Sequence, residues 1–148
     1  MAFTQKVLLK KVSTSHVIKS FHEIKFVKFL ISTQPVKILE WKGISNGDNA
    51  SFKFWFFGWK RMDVIHQNYN SKANYLSFED HGVGLPFGLL SWKHRHVIEK
   101  VPKGTLITDS ISFDENSIVK KFLIKPIMLF PIITRKITYK VWFYFINK

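Results

Sequence analysis

Apolar and polar positions change period repeatedly along this chain. Over 5–12, QKVLLKKV, the density of apolar residues predicts an opening strand. Ser13-Thr14-Ser15 then supplies N-cap hydroxyls, and apolar residues at 17, 18, 21, 24, 27, 30 and 31 fall at helical spacing. One broken helix or two short ones are expected, ending before Pro35. From there the period drops toward two. Strands are predicted over 36–42 and over 50–57, separated by a turn at Asn46-Gly47. In the second, Phe52, Phe54 and Phe56 share one face and Trp55 and Phe57 the other, until Gly58 breaks the run. Residues 59–69 and 75–80 read as further strands joined by the polar loop 68–74, and HGVGLPFG at 81–88 as a turn or bend. Strands over 91–100 and 105–113, around the turn Val101-Pro102-Lys103-Gly104, complete the set.

After Asp114 the alternation stops. Residues 117–145 predict a long C-terminal helix, kinked by Pro126 and Pro131 or regular only after Pro131, because an interior proline removes a backbone hydrogen bond and clashes with the preceding turn. Ile133, Ile137, Val141 and Tyr144 form its expected apolar stripe, with Arg135, Lys136 and Lys140 on a solvated side. A strand, then helices, then consecutive strands, then a long helix argue for an antiparallel sheet in an α+β fold. At 148 residues, one domain spanning 1–148 is expected.

Composition changes this picture little. With 46% hydrophobic residues, 15 of them Phe, the chain is far from the composition of a disordered segment despite a formal charge of +13. The lysines are dispersed rather than clustered, so specific nucleic-acid binding is not expected, and any binding should be weak and lost in moderate salt. The absence of cysteine excludes disulfides, thiolate metal sites and thiol nucleophiles, and fits a cytoplasmic location. The N-terminal apolar run is too short for a signal peptide. The most apolar stretch, FLIKPIMLFPII at 122–133, contains Lys125 and two prolines and falls short of the ~20 residues of a membrane span, so no transmembrane segment is expected.

Candidate chemistry concentrates in SWKHRHVIEK, residues 91–100. As a strand it puts Trp92, His94, His96 and Ile98 on one face. If Lys100 pairs with Thr105, His96 faces Asp109 and Trp92 faces Phe113, on one face with Ile107 and Ile111. The turn residues instead favour a three-residue loop that sets His96 opposite Ser110. The first register is preferred, because exposing Ile107, Ile111 and Phe113 would cost ~1.5–3 kcal/mol each; a bulge near Gly104 would reconcile the two. Two histidines do not complete a zinc site, so no metal is expected. Asp80 and His81 read as strand-end and turn residues. No phosphate-binding glycine loop, nucleophile elbow or paired-carboxylate motif is present, and no cofactor is expected.

Five stretches in order, SFED (Phe78, Asp80), GLPF (Gly84, Pro86, Phe87), WKHRHVI (Trp92, His94, His96, Ile98), GTLITD (Gly104, Thr105, Asp109) and TRK (Arg135), resemble motifs of the START-like or SRPBCC superfamily, and most closely its bacterial ligand-binding branch. The superfamily includes pollen-allergen-like proteins and polyketide cyclases. Leu85, inserted between the glycine and proline, and Ile98, where an aromatic is usual, depart from the pattern. The resemblance implies a helix-grip fold: a curved antiparallel sheet wrapped around a long C-terminal helix, two short helices near the N-terminus, and a cavity between sheet and helix. A small apolar or amphipathic molecule is the expected partner, bound by Trp92, His94, His96, Ile98, Asp109, Phe87, Phe54, Ile133 and Ile137. One alternative is an enzyme of the polyketide cyclase or dehydratase type, with His94 or His96, assisted by Asp109, as general acid-base. Another is a non-catalytic structural or interaction module with a vestigial cavity.

Overall fold

A computed structural model describes residues 1–148. Strand β1 (Ala2–Lys10) is followed by helices α1 (Thr14–Phe21) and α2 (Ile24–Ile31). Six strands come next: β2 (Val36–Trp41), β3 (Asn49–Trp55), β4 (Trp59–Lys72), β5 (Tyr75–Gly84), β6 (Ser91–Val101) and β7 (Gly104–Asp114). The chain closes with α3 (Ile118–Ile133), α4 (Arg135–Val141) and a π-helical turn, Trp142–Ile146. The strands form one antiparallel sheet in the order β1-β7-β6-β5-β4-β3-β2, so β2 to β7 are a meander and only β1 joins from a distance. The sheet curves around the C-terminal helices with α1 and α2 at one end, the helix-grip arrangement.

The β6–β7 hairpin takes the register that buries its isoleucines. Trp92 faces Phe113, His96 faces Asp109, Ile98 faces Ile107 and Lys100 faces Thr105. No bulge is needed near Gly104, because Val101 pairs directly with it across a two-residue loop. Gly104 has φ +147, and a Cβ there would lie 2.1 Å from the Leu9 carbonyl oxygen, so β1 can approach this turn only over a glycine.

Two connections differ from expectation. The loop after β4 is only Ala73-Asn74, with Asn74 at φ 61; the polar residues 70–72 remain in the ladder opposite 75–77. They are predominantly exposed, and a solvated end of a hairpin has no need of apolar alternation. Strand β5 likewise runs on to Gly84, through residues expected to form a turn. Its glycines make room for neighbours: a Cβ on Gly82 would lie 2.3 Å from the side chain of Leu85, the inserted residue, which folds back over it.

Helix α3 runs through both prolines, so regular helix does not wait for Pro131. Each proline leaves one carbonyl without its intrahelical donor; that of Phe122 belongs to a residue on the exposed side. The chain departs from regular helix at Thr134, whose hydroxyl donates to the Pro131 carbonyl at 2.9 Å.

The helix face turned toward the sheet is only partly the predicted one: Val141 and Tyr144 are half-buried, Tyr144 against the main core. Ile133 and Ile137 are 47% and 69% exposed, whereas Ile124, Met128, Ile132, Thr138, Tyr139 and Trp142 are buried. Arg135 also turns inward, with its side chain only 16% exposed, rather than lying on a solvated face. Both sides of this helix are apolar, so apolar spacing alone could not choose between them; the inward side is the one whose polar members find partners on the sheet.

The main core gathers where α1, α2, α4 and the π turn meet the sheet. Phe21, Phe26, Phe78, Tyr139, Trp142 and Phe143 pack there with Val7, Leu9, Leu76, Ile98 and Ile107. Ring contacts among Phe21, Phe26, Tyr139, Trp142 and Phe143 run at 5.0–6.1 Å between centroids.

Candidate functional site

A row of polar side chains crosses the inner face of four strands. Pairing sets His66 of β4 opposite Asp80 of β5, Asp80 opposite His94 of β6, and His96 of β6 opposite Asp109 of β7. In each strand the neighbours at alternate positions are apolar: Met62 and Val64 before His66, Phe78 before Asp80, Ile98 after His96, Ile107 and Ile111 on either side of Asp109. Strand alternation therefore carries these groups into the interior along with the core.

Asp109, fully buried, is the hub on the helix side. Its Oδ1 lies 3.0 Å from His94 Nε2, 3.1 Å from His96 Nδ1 and 3.4 Å from Arg135 Nη1. Its Oδ2 accepts from the Tyr139 hydroxyl at 2.9 Å. Asp80 is the hub on the other side. Its Oδ2 accepts from His96 Nε2 at 3.1 Å and stands 3.8 Å from His94 Nδ1, while Oδ1 lies 3.0 Å from His66 Nε2. His66 donates through Nδ1 to the Asp48 carbonyl at 2.8 Å. Not every close approach is an aligned hydrogen bond: Asp80 Oδ1 and His96 Nδ1 remain without a well-directed partner.

These contacts set the charges. Burial pushes the Asp80 carboxyl up, but the His96 charge and the His66 and His96 contacts outweigh it and hold Asp80 far below the usual carboxylate range. Asp109 is held well below that range in the same way, burial being overcome by the contacts from His94 and His96 and by the Arg135 charge. Burial and the neighbouring His96 charge take His94 down to about 4, so it is neutral near pH 7. His96 is raised, since the charge of Asp80 and contacts with both carboxylates exceed the burial cost. His66 is also raised, with burial outweighed by Asp80 and assisted by the Asp48 carbonyl. Burial and the Asp109 charge push the Tyr139 phenol well above 10, which keeps it a donor.

Beside this network a cavity of about 500 Å³ lies between the sheet and α3. Phe52, Phe54, Met62, Val64 and Trp92 wall it from the sheet, and Pro126, Ile127, Met128, Pro131 and Ile132 from α3. Asp80 and Arg135, with the neutral His94, supply its polar end. Trp55 and Phe130, each about half exposed, stand at its opening. The Trp92 Nε1 is buried without an acceptor.

Among the residues singled out in the sequence, Trp92, His94 and Phe54 line this cavity. His96 instead borders a smaller space of about 90 Å³ shared with Phe21, Phe26, His66 and Phe78. Asp109 sits behind the histidines, and Ile98 is sealed in the main core. Phe87 packs outside against Phe54 and Phe56, and Ile133 and Ile137 face solvent, so none of these three borders the cavity. Asp80, read as a strand-end residue, is central to the network, whereas His81 points the other way and pairs with Glu79 at 2.7 Å. His66 and Tyr139 were not singled out. The available signal for His66 was a polar residue in phase with Met62 and Val64.

No family model matches the sequence, and no curated protein does. Solved structures match the fold. The Aha1 dimer protein from Colwellia psychrerythraea is similar at 13% identity and TM-score 0.62, over 100% of this chain and 99% of that one. The hypothetical protein jhp0584 from Helicobacter pylori is similar at 14% identity and TM-score 0.64, over 89% and 81%. Ginseng major latex-like protein 151 from Panax ginseng is similar at 12% identity and TM-score 0.60, over 94% and 95%. Such likeness is one of fold alone, and the fold is the helix grip. No helix is long and apolar enough to cross a membrane.

Proposed function

We propose that this protein binds a small apolar or amphipathic molecule in the cavity between the sheet and α3, with an oxygen-bearing end directed to Arg135. One observation carries this reading: a cavity of about 500 Å³ with apolar walls and a single polar end. That size and that distribution of polarity are those of small-molecule sites. Arg135 donates only through Nη1 to Asp109 and Tyr139, which leaves the rest of its guanidinium for an incoming carbonyl or carboxylate.

Native mass spectrometry of the purified protein, followed by solvent extraction, tests the proposal directly. A bound species of a few hundred daltons is expected. Long-chain carboxylic acids and aromatic ketones should also quench or enhance the fluorescence of Trp92 and Trp55, and Met62→Trp should abolish the response by filling the space. Absence of any co-purifying molecule, together with no saturable response to either class, would count against it.

An acid-base enzyme of the cyclase or dehydratase type is supported by one feature, the placement of His94 on the cavity with its Nε2 held by Asp109. A general base works best with a pKa near the working pH. Taken down to about 4, His94 is a weak base, which favours binding and orientation over proton transfer. A structural module with a vestigial cavity is disfavoured by the volume of the space.

A further inference from the structure

Three buried histidines share one habit: one ring nitrogen faces an outer acceptor and the other turns toward Asp80. For His94 the outer acceptor is Asp109 Oδ1 at 3.0 Å and for His66 the Asp48 carbonyl at 2.8 Å, while His96 Nδ1 lies 3.1 Å from the same Asp109 oxygen without a well-directed bond. Metal-ligating histidines are held in this way, with the far nitrogen bonded to a carboxylate or backbone carbonyl that fixes the ring. On the near side, Asp80 Oδ2 is 3.1 Å from His96 Nε2 and 3.8 Å from His94 Nδ1, and one ligand atom from each of the three residues lies within 4.8 Å of the others. Ligands around a tetrahedral zinc ion at ~2.0–2.1 Å stand roughly 3.3 Å apart. Ligation would require the two rings to rotate so that the three atoms close toward that spacing.

We propose that Asp80 Oδ2, His94 Nδ1 and His96 Nε2 form a binding site for one divalent transition-metal ion of the zinc type. The sequence offered two histidines and no third ligand; the third comes from the neighbouring strand, directly opposite His94. Asp109 is the outer partner of both ligating histidines, and is itself fixed by Arg135 and Tyr139. His66 steadies Asp80 from its other oxygen. Because Asp80 and His94 also border the cavity, a metal held by three protein ligands would keep a coordination position open on that side.

The site uses the polar end of the cavity but does not require the cavity to be occupied, so it is tested on ligand-free protein. The full chain, stripped with a chelator and dialysed, is titrated with Zn²⁺ by calorimetry and with Co²⁺ by visible spectroscopy. One equivalent binding at micromolar Kd or tighter is expected, with intense Co²⁺ bands of a four- or five-coordinate site. Asp80→Asn and His94→Gln should each weaken binding at least 100-fold, Asp109→Asn roughly 10–100-fold, and His81→Gln not at all. Imidazole NMR of the unmodified protein guards against a variant that fails to fold: Zn²⁺ should shift the signals of His94 and His96. Substoichiometric binding, binding unchanged by Asp80→Asn, or shifts confined to His16, His22 and His81 would overturn the proposal, whatever the fate of the apolar ligand.

Discussion

The part of the sheet under α1, α2 and α4 and the part under α3 are built from the same kinds of residue, yet one is filled and the other hollow. In the first, Phe26 and Tyr139 are completely buried and Phe21, Trp142 and Phe143 nearly so. In the second, Phe52, Phe54, Trp55 and Trp92 stand around about 500 Å³ of open space. Aromatic abundance does not make a core; opposing surfaces must come close enough to interlock. Helices α1 and α2 plug the sheet at one end. At the other, α3 faces it with Ile118, Val119, Phe122 and Leu123 turned to solvent rather than inward.

The comparison makes graded predictions. Phe26→Ala, in the filled part, should cost about 3–5 kcal/mol in urea unfolding, as large aromatic deletions in close-packed cores do; a cost below 1 kcal/mol would mean that this part is not close-packed. Next in size is a pH effect on chelator-treated protein, arising where the two parts meet. His94 binds its proton less readily folded than unfolded, so stability should fall as pH drops from about 6.5 toward 4. His66 and His96 bind theirs more readily folded, so their contribution is complete below about 6.5 and is lost as pH rises through their raised values. Thermal unfolding followed across pH 4–9 should therefore show a maximum near 6.5, and a monotonic rise with pH would contradict the assigned charges.

In the hollow part, Phe54→Ala removes a ring that already borders empty space. It should cost no more than about 1.5 kcal/mol, well under the core value, while changing the affinity for apolar probes by tenfold or more. A loss as large as that of Phe26→Ala would show that the cavity closes in solution. Smallest of all, Ile137→Lys should leave stability within about 0.5 kcal/mol, as surface substitutions do. This checks the helix face against the stripe that apolar spacing favoured.

What could be read in advance follows the same physical divide. The β6–β7 register was legible because Ile98, Ile107, Ile111 and Phe113 must share a buried face, and that requirement overrode the turn preference of Pro102-Lys103-Gly104. The succession of strands and helices along the chain was legible from changes of period. Asp80 was not, because Gly82 and Gly84 read as a turn when they extend β5 past it. The inward face of α4 was hidden for a related reason. Its members Arg135 and Tyr139 are polar, and their partners lie on strands far away in sequence. A buried polar network is a property of long-range pairing, which a local pattern of hydrophobicity does not encode.

Strand β1 has a consequence for the order of folding. Strands β2 to β7 pair with neighbours in sequence, whereas β1 pairs with β7, and the Met1 amino group donates to the Phe113 carbonyl across 112 residues. Local hairpins close at small entropic cost and form first, while a distant pairing waits for the whole intervening chain. During synthesis β1 is made before β2 to β7 and is therefore the last of the seven strands to find its place. Until β7 has been translated, Val7 and Leu9 belong to no core, and the nascent chain carries their apolar side chains exposed.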